Sequence, residues 1–451
     1  MTRVNSIKGL GPFLQPMAHA RSAELDPPIL ITRGEGVHVI DTEGRRLVDG
    51  LGGLWNVNLG HSCEPVKEAI RRQLEELPYY NSFKGCSHPG VVTLSEKIIE
   101  LLAPEGMARV FFNSGGSDAV ETALKLSRQY WKLAGEPGRT KFIALRQGYH
   151  GVHFGGGSLT GVNAFRLGFE PMMPGCFHID SPWLYRNAYT DDPVELGKIV
   201  AGQLEREILA QGPGTVAAFI AEPVQGAGGV IVPPDNFWPL AREVCDCHGV
   251  LMIADEVVTG FGRTGAFTGS RGWGVKPDVM CFAKGITSGY VPLGATTINN
   301  RMAEVFENAP PDVGYIMHGY TYSGHPLGVA AAIAALDQVV LHDIPAKAAQ
   351  QGRYFMDRLK PFEDRFACVG DVRGKGLMMC LELVADKATK QPAPPESRFT
   401  EAIAREAAKR GALVRAVGNS IILSPPLIIA EPELDTIVDA LAGALTEVTL
   451  G

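Results

Sequence analysis

Between about residue 108 and residue 300 short apolar runs alternate with amphipathic stretches. That rhythm predicts an α/β fold, a mostly parallel sheet with crossover helices. The predicted strands are Arg109–Asn113, Lys141–Leu145, Val216–Ala221, Val250–Ala254, Val279–Ala283 and Leu293–Ile298, and helical periodicity marks Ser117–Leu133 and Asn236–His248. Residues 29–50 instead read as a small antiparallel meander, with Val37–Asp41 and Arg46–Asp49 on either side of a turn at Glu43-Gly44. After about residue 326 come Ala-rich helices, the strands Val369–Val372 and Leu377–Val384, a helix over Phe399–Arg410, and strands near Leu413 and Ile421, an α+β pattern. Ala385–Glu396, rich in Lys, Pro and Ala, reads as a mobile surface loop.

A chain of 451 residues is long enough for about two to three domains, each with its own core. Its net charge of -7 comes without a basic stripe, which argues against nucleic acid as a partner. No apolar run reaches membrane-spanning length, and Met1 to Leu30 mixes charges and prolines, so the expectation is a soluble, cytoplasmic protein without a membrane partner. The eight cysteines are scattered, and the close pair Cys245 and Cys247 has no second pair to complete a metal site. Reduced buried thiols are expected, and no metal.

Candidate chemistry sits at the ends of the apolar strands. Lys284 follows Phe282-Ala283, and Asp255 closes the run Val250-Leu251-Met252-Ile253-Ala254. A lysine at the edge of an apolar sheet loses ammonium hydration, so its pKa falls and the neutral amine becomes a nucleophile toward a carbonyl. An amine of this kind can tether an aromatic aldehyde as a Schiff base, and a nearby carboxylate can hold the proton of a pyridine ring, which points to pyridoxal phosphate. Each residue alone also reads as ordinary: a lysine reaching solvent, an aspartate capping a loop.

Ser114-Gly115-Gly116-Ser117-Asp118 follows one strand and opens a helix, a cradle for an anion that also occurs as a plain cap. Gly148-Tyr149-His150-Gly151 follows the next strand, and an aromatic between glycines can lie flat over a heterocycle or simply pack in a turn. Glu222-Pro223-Val224-Gln225-Gly226 brings another carboxylate to the same side. Active sites in such sheets lie beyond the carboxyl ends of the strands, where all these segments fall.

Taken in order with Asp255-Glu256-Val257, Gly260-Phe261-Gly262-Arg263-Thr264-Gly265, Lys284-Gly285 and His318-Gly319-Tyr320-Thr321-Tyr322-Ser323-Gly324-His325-Pro326, these segments resemble those of class III aminotransferases over nearly the whole chain. The resemblance implies the fold type I architecture of pyridoxal-phosphate enzymes: a large cofactor domain at 61–325, and a smaller α+β domain from both termini, 1–60 with an interface arm and 326–451. It also implies a homodimer, or dimer of dimers, with shared active sites. Lys284 is then the covalent anchor and proton carrier, and Asp255 the partner of the ring nitrogen. Tyr149, with His150 beside it, and Val257 flank the ring; Ser114, Gly115, Gly116 and Ser117 form the phosphate loop; Glu222 stands behind the site. Tyr320, through its amide, and Thr321 would reach the phosphate of the neighbouring subunit. Gly115 stands where many relatives place Ser or Thr, and Val258 where several carry Gln, so one phosphate contact and one ring-hydroxyl contact stay open.

Within that family, users of 2-oxoglutarate carry an arginine ahead of a paired-proline segment and a glutamate after the Gln-Gly of the Glu-Pro motif. Here those places hold Ile422 and Ala227. Arg415 instead matches the mobile arginine of the ω-amino acid and amine:pyruvate transaminases, which can pair with a carboxylate and swing away for an apolar amine. Leu54, Trp55 and Phe83 match that subgroup's aromatic pocket. The implied reaction is a ping-pong transfer from an amine or ω-amino acid to pyruvate, giving alanine and an aldehyde or ketone. An aminomutase, a decarboxylase, an epimerase or a 2-oxoglutarate transaminase would use the same lysine and aspartate. A non-catalytic regulator would carry a DNA-binding extension, and a nucleotide-binding protein a lysine-containing phosphate motif; neither is visible in the sequence.

Overall fold

The computed structural model describes residues 12–21 and 26–448. In chain order the strands are β1 (Ile31–Glu35), β2 (His38–Asp41) and β3 (Arg46–Asp49), then β4 (Met107–Asn113), β5 (Lys141–Leu145), β6 (Cys176–Ile179), β7 (Val216–Ala221), β8 (Leu251–Asp255), β9 (Val279–Phe282) and β10 (Gly294–Asn299). β11 (Val369–Lys375), β12 (Met378–Asp386), β13 (Gln391–Pro392), β14 (Ala412–Leu413), β15 (Arg415–Val417) and β16 (Ser420–Leu423) follow.

β4 to β10 form one seven-stranded sheet in the order β4-β10-β9-β8-β7-β5-β6. Its strands run parallel except β10, which is antiparallel to both neighbours. β7 and β8 are buried along their whole length, as strands covered by helices on both faces must be. The helix Gly116–Leu133 covers one face through Ala119, Val120, Ala123 and Leu124; on the other, Phe219 and Met252 join a core with Leu204, Phe237 and Trp238. Six strands running in one direction therefore deliver their carboxyl ends to one edge.

β14 pairs in parallel with β3, Ala412 beside Val48, so the two ends of the chain share a four-stranded sheet. β11, β12, β16 and β15 make a third sheet, and the register Arg415 to Ile422 places Arg415 on its edge strand.

Several expected bounds move by a residue or two. The strand expected at Val250–Ala254 ends on Asp255, which pairs with Cys281, so the carboxylate belongs to the ladder itself. The expected Leu293–Ile298 strand begins at Gly294 and ends at Asn299. Within the expected loop Ala385–Glu396, β12 extends to Asp386 and Gln391–Pro392 pairs back onto it, an edge position where proline costs no ladder bond. The helices Glu64–Glu76, Pro89–Leu101 and Pro193–Gln211, and β6, had no counterpart in the sequence reading. Among the described residues no single helix is long and apolar enough to cross a membrane.

Candidate active site

At the carboxyl edge of the large sheet lies a cavity of about 230 Å³ lined by residues from five strand ends and both chain termini. β8 delivers Asp255, and its carboxylate is 3% exposed. Its Oδ2 accepts from His150 Nδ1 at 2.8 Å, and its Oδ1 from the Val257 amide at 3.2 Å. His150 is held in turn by its own amide, which donates to Thr160 Oγ1 at 3.0 Å. A charge buried this deeply persists only when its lone pairs are occupied in this way.

β9 delivers Lys284. The chain leaves the strand through Ala283, and Lys284 itself has φ +46°, a left-handed conformation that costs about 1–3 kcal/mol for a residue with a side chain. Trp55, on another wall of the cavity, has φ +66°. Strain of this kind persists only where surrounding structure holds it, and it clusters at sites that use it. Burial pushes the Lys284 amine below its ordinary pKa of 10.5, opposed by Asp255 and Glu222 and assisted by Arg415. The amine is therefore drawn toward its neutral, nucleophilic form.

β4 ends in Asn113, and the helix Gly116–Leu133 starts three residues later with Gly115 as its cap and no capping side chain. An uncapped helix start that opens on a cavity offers free amides and a positive dipole end to an anion. Gly116 and Ser117 line the cavity; Ser117 Oγ accepts from the Val152 amide at 3.1 Å. Gly151, at φ +97°, passes so close that a Cβ there would lie 2.6 Å from Ser117 Oγ, so only glycine fits. Ser114 and Gly115 flank this loop outside the cavity lining, with the Ser114 amide donating to Asp118 Oδ2 at 3.1 Å.

Tyr149 and Val257 both line the cavity. Glu222 holds this part of the wall: its two oxygens accept from the amides of Tyr149 (2.8 Å) and Gly226 (2.9 Å). Burial pushes the Glu222 carboxyl up to about 7, against the lowering effect of His150. A buried carboxylate for a ring nitrogen, an aromatic and a branched apolar side chain as walls, an uncapped helix start and a desolvated amine are the donor set that pyridoxal phosphate requires, so the residues present fit that group.

Leu54, Trp55, Ala227 and Arg415 also line the cavity, and the Arg415 guanidinium is pushed below its usual pKa by burial. Phe83, Tyr320 and Thr321 do not line it. Phe83 is half exposed and packs where a Cβ on Gly319 would meet its ring at 2.6 Å. Tyr320 donates its amide to Ser323 Oγ at 3.1 Å, and Thr321 is exposed.

The sequence reading missed Phe165, which packs edge to face on Tyr149 with ring centroids 5.1 Å apart, and Met17, near the amino end. Neither carries a motif signal, because both reach the cavity from irregular segments. It also gave no role to Arg263, fully buried and pushed down to about 9 by desolvation. Arg263 Nη1 donates to the carbonyls of Leu377 (3.1 Å) and Pro425 (2.5 Å), and Nη2 to Asn58 Oδ1 (2.9 Å), tying the loop after β8 to both ends of the chain.

Comparison with known proteins gives a consistent answer. The family profile described as aminotransferase class III matches residues 19–445. The putrescine–pyruvate aminotransferase of Pseudomonas aeruginosa is 42% identical over 91% of this chain and 88% of its own length. The diaminobutyrate–2-oxoglutarate transaminase of Halomonas elongata is 40% identical over 94% of this chain and 91% of its own. Among solved structures, an amine transaminase from an uncultivated Pseudomonas species, in its PLP-bound form, superposes with a TM-score of 0.96 at 52% identity, covering 98% of this chain and 100% of that one.

Proposed function

We infer, from the premise that this chain belongs to the class III aminotransferases and is a pyridoxal-phosphate-dependent enzyme, that it moves an amino group from an amine donor to pyruvate. The observation that carries the choice of acceptor is the company Arg415 keeps. It enters the Lys284 cavity beside Ala227, while Ile422, at the place where 2-oxoglutarate users have their arginine, is buried in β16. One guanidinium is thus available for one carboxylate, which suits pyruvate. The similarity to a relative named for putrescine and pyruvate supports the same choice.

When bound, pyridoxal phosphate supplies an electrophilic carbonyl and a ring that withdraws electrons from the substrate carbon. The protein supplies the rest. Lys284 would hold the cofactor covalently through its amine, which burial draws toward the neutral form, and, once freed by the incoming amine, would carry the proton of the substrate carbon. Asp255, fixed by His150 and the Val257 amide, would hold the ring nitrogen's proton. Gly116 and Ser117 would receive the phosphate, and Tyr149 and Val257 would clamp the ring. Arg415 pairs with the pyruvate carboxylate and leaves the pocket for an apolar donor, whose chain loses water contact against Leu54 and Trp55.

The site is completed in a homodimer, with Thr321, Tyr320 and Phe83 serving the neighbouring subunit. Supporting this, Tyr79 Oη bonds the Thr321 carbonyl at 2.7 Å, and these two segments also expose Tyr80, Phe83, Met317 and Tyr322, apolar surface of the sort that a partner covers. All eight cysteines are unpaired, which supports a reducing, cytoplasmic location.

The test is the two half-reactions followed by cofactor absorbance. An amine should convert the holoenzyme spectrum, and pyruvate should restore it with stoichiometric alanine. Restoration by 2-oxoglutarate and not by pyruvate would overturn the choice of acceptor.

A further inference from the structure

Trp55 is a wall of the Lys284 cavity, 4% exposed, in a left-handed conformation with φ +66°. The turn that leads into it is irregular throughout: Gly52 has φ +53°, Gly53 φ +64°, and Leu54 φ -140° with ψ 63°. A bulky residue stays in such a conformation only where its surroundings over-determine it. The backbone amides of the turn show what does so. Trp55 N donates to the Leu51 carbonyl at 3.1 Å, Asn56 N to the Gly52 carbonyl at 3.0 Å, and Leu54 N to Asn56 Oδ1 at 2.9 Å. The amides of Leu51 and Gly53 go instead to one side chain, Asp49, whose Oδ1 accepts from Leu51 at 3.2 Å and Oδ2 from Gly53 at 2.9 Å.

Asp49 ends β3 and is 2% exposed, and its Oδ2 takes a further bond from His61 Nε2 at 2.9 Å. A cap on the strand end would need only the Leu51 amide. The carboxylate reaches on to Gly53, where the chain turns toward Trp55. Ser424 fixes the same turn from the other side: its Oγ donates to the Leu51 carbonyl at 2.7 Å, the carbonyl that Trp55 N also uses. Arg415, on the opposite substrate contact, is held by a different device, the pairing of β15 with β16.

We propose that Asp49 is a positioning residue of the reaction: through the Leu51 and Gly53 amides it holds Trp55 in place for the amine donor, without acting on the Arg415 side of the pocket. This rests on the transaminase reading above, in which the donor packs on Trp55 and pyruvate pairs with Arg415. Only an ionised carboxylate presents acceptors on both of its atoms, and bonds to a charged acceptor are the stronger ones. A merely structural Asp49 would weaken both half-reactions alike; a positioning Asp49 separates them.

Asp49→Asn keeps the size of the side chain but turns an NH2 group toward one of the two amides, so one bond to the turn is lost. In the holoenzyme, hydrogen exchange of the peptide 51–58 should quicken at least about tenfold, while exchange in β7 and β8 stays unchanged. In the amine half-reaction the half-saturating concentration of phenylbutylamine should rise at least about fivefold with the limiting rate within about twofold, part of what a buried aromatic wall contributes. The pyruvate half-reaction should stay within about twofold. Ser424→Ala, which leaves the carboxylate in place, should shift the amine step in the same direction by about two- to threefold. Unchanged exchange in 51–58, or two half-reactions that weaken together, would overturn the proposal. Trp55→Ala separates the two ideas. If it saturates with phenylbutylamine as the parent does, the donor wall and the proposal both fall; if it is weakened while Asp49→Asn is not, the proposal alone falls.

Discussion

Lys284 combines two features that a structural lysine avoids, a left-handed backbone and a desolvated amine. Its folded pKa lies below 10.5, so between that folded value and 10.5 the unfolded chain binds more protons, and this group's contribution to stability rises with pH. Below the folded value its burial penalty is present in full. Apo Lys284→Met should therefore melt above the apo parent at neutral pH, with the gap closing as pH approaches 10.5, and a gap that stays constant would refute the burial argument. The same variant in the holoenzyme should lose activity by at least about 10²–10⁴-fold, the usual contribution of a positioned proton carrier. Gly115 offers the opposite kind of test. Its φ of 179° is open to any residue, and a Cβ there meets nothing within 4 Å. Gly115→Ser should slow cofactor loss by adding a hydroxyl at the helix start, and raise stability by only a few tenths of a kcal/mol, measured by dialysis and thermal melting.

Strand ends place the chemistry, but links between elements hold it there. Ala227 sits just before Gly228-Gly229, and the Gly229 carbonyl accepts from Arg373 of β11 through Nε (2.9 Å) and Nη2 (2.6 Å). The remaining Arg373 nitrogen faces Asp371 Oδ2 at 2.6 Å and Glu382 Oε2 at 2.8 Å, and Glu382 is bonded on its other oxygen by Arg186 at 2.6 Å. This nearly buried network fastens the Ala227 wall to the sheet that carries Arg415. Arg373→Ala leaves Asp371 without its cation and Glu382 with Arg186 alone, and should cost about 3–5 kcal/mol in chemical denaturation. Arg373→Lys should retain the fold while raising KM for both substrates more than it lowers kcat. These links had no sequence signal, because a carbonyl that accepts from a distant guanidinium leaves no pattern of its own. The helix Pro193–Gln211 went unread for a related reason: its apolar positions Leu196, Val200, Leu204 and Ile208 have helical spacing but no attached motif.

At the scale of the whole molecule, the assignment of Thr321 to a neighbouring site can be tested by mixing subunits. Lys284→Ala and Thr321→Ala chains, unfolded and refolded together, should be more active than the sum of the two parents. In random dimers with a two-fold axis roughly a quarter of the sites then combine an intact lysine with an intact threonine. Activity no greater than the sum would place Thr321 outside the shared site. The amino-acid sequence by itself determined the parallel sheet, the residues at its strand ends and the pairing of an amine with a carboxylate, because local periodicity and short motifs encode them directly. Only the tertiary structure decided that Phe83, Tyr320 and Thr321 stand apart from their own chain's cavity, that His150 fixes Asp255, and that Met17 and Phe165 join the cavity wall. Those facts depend on contacts between segments far apart in the chain, and such contacts follow from packing rather than from any run of neighbouring residues.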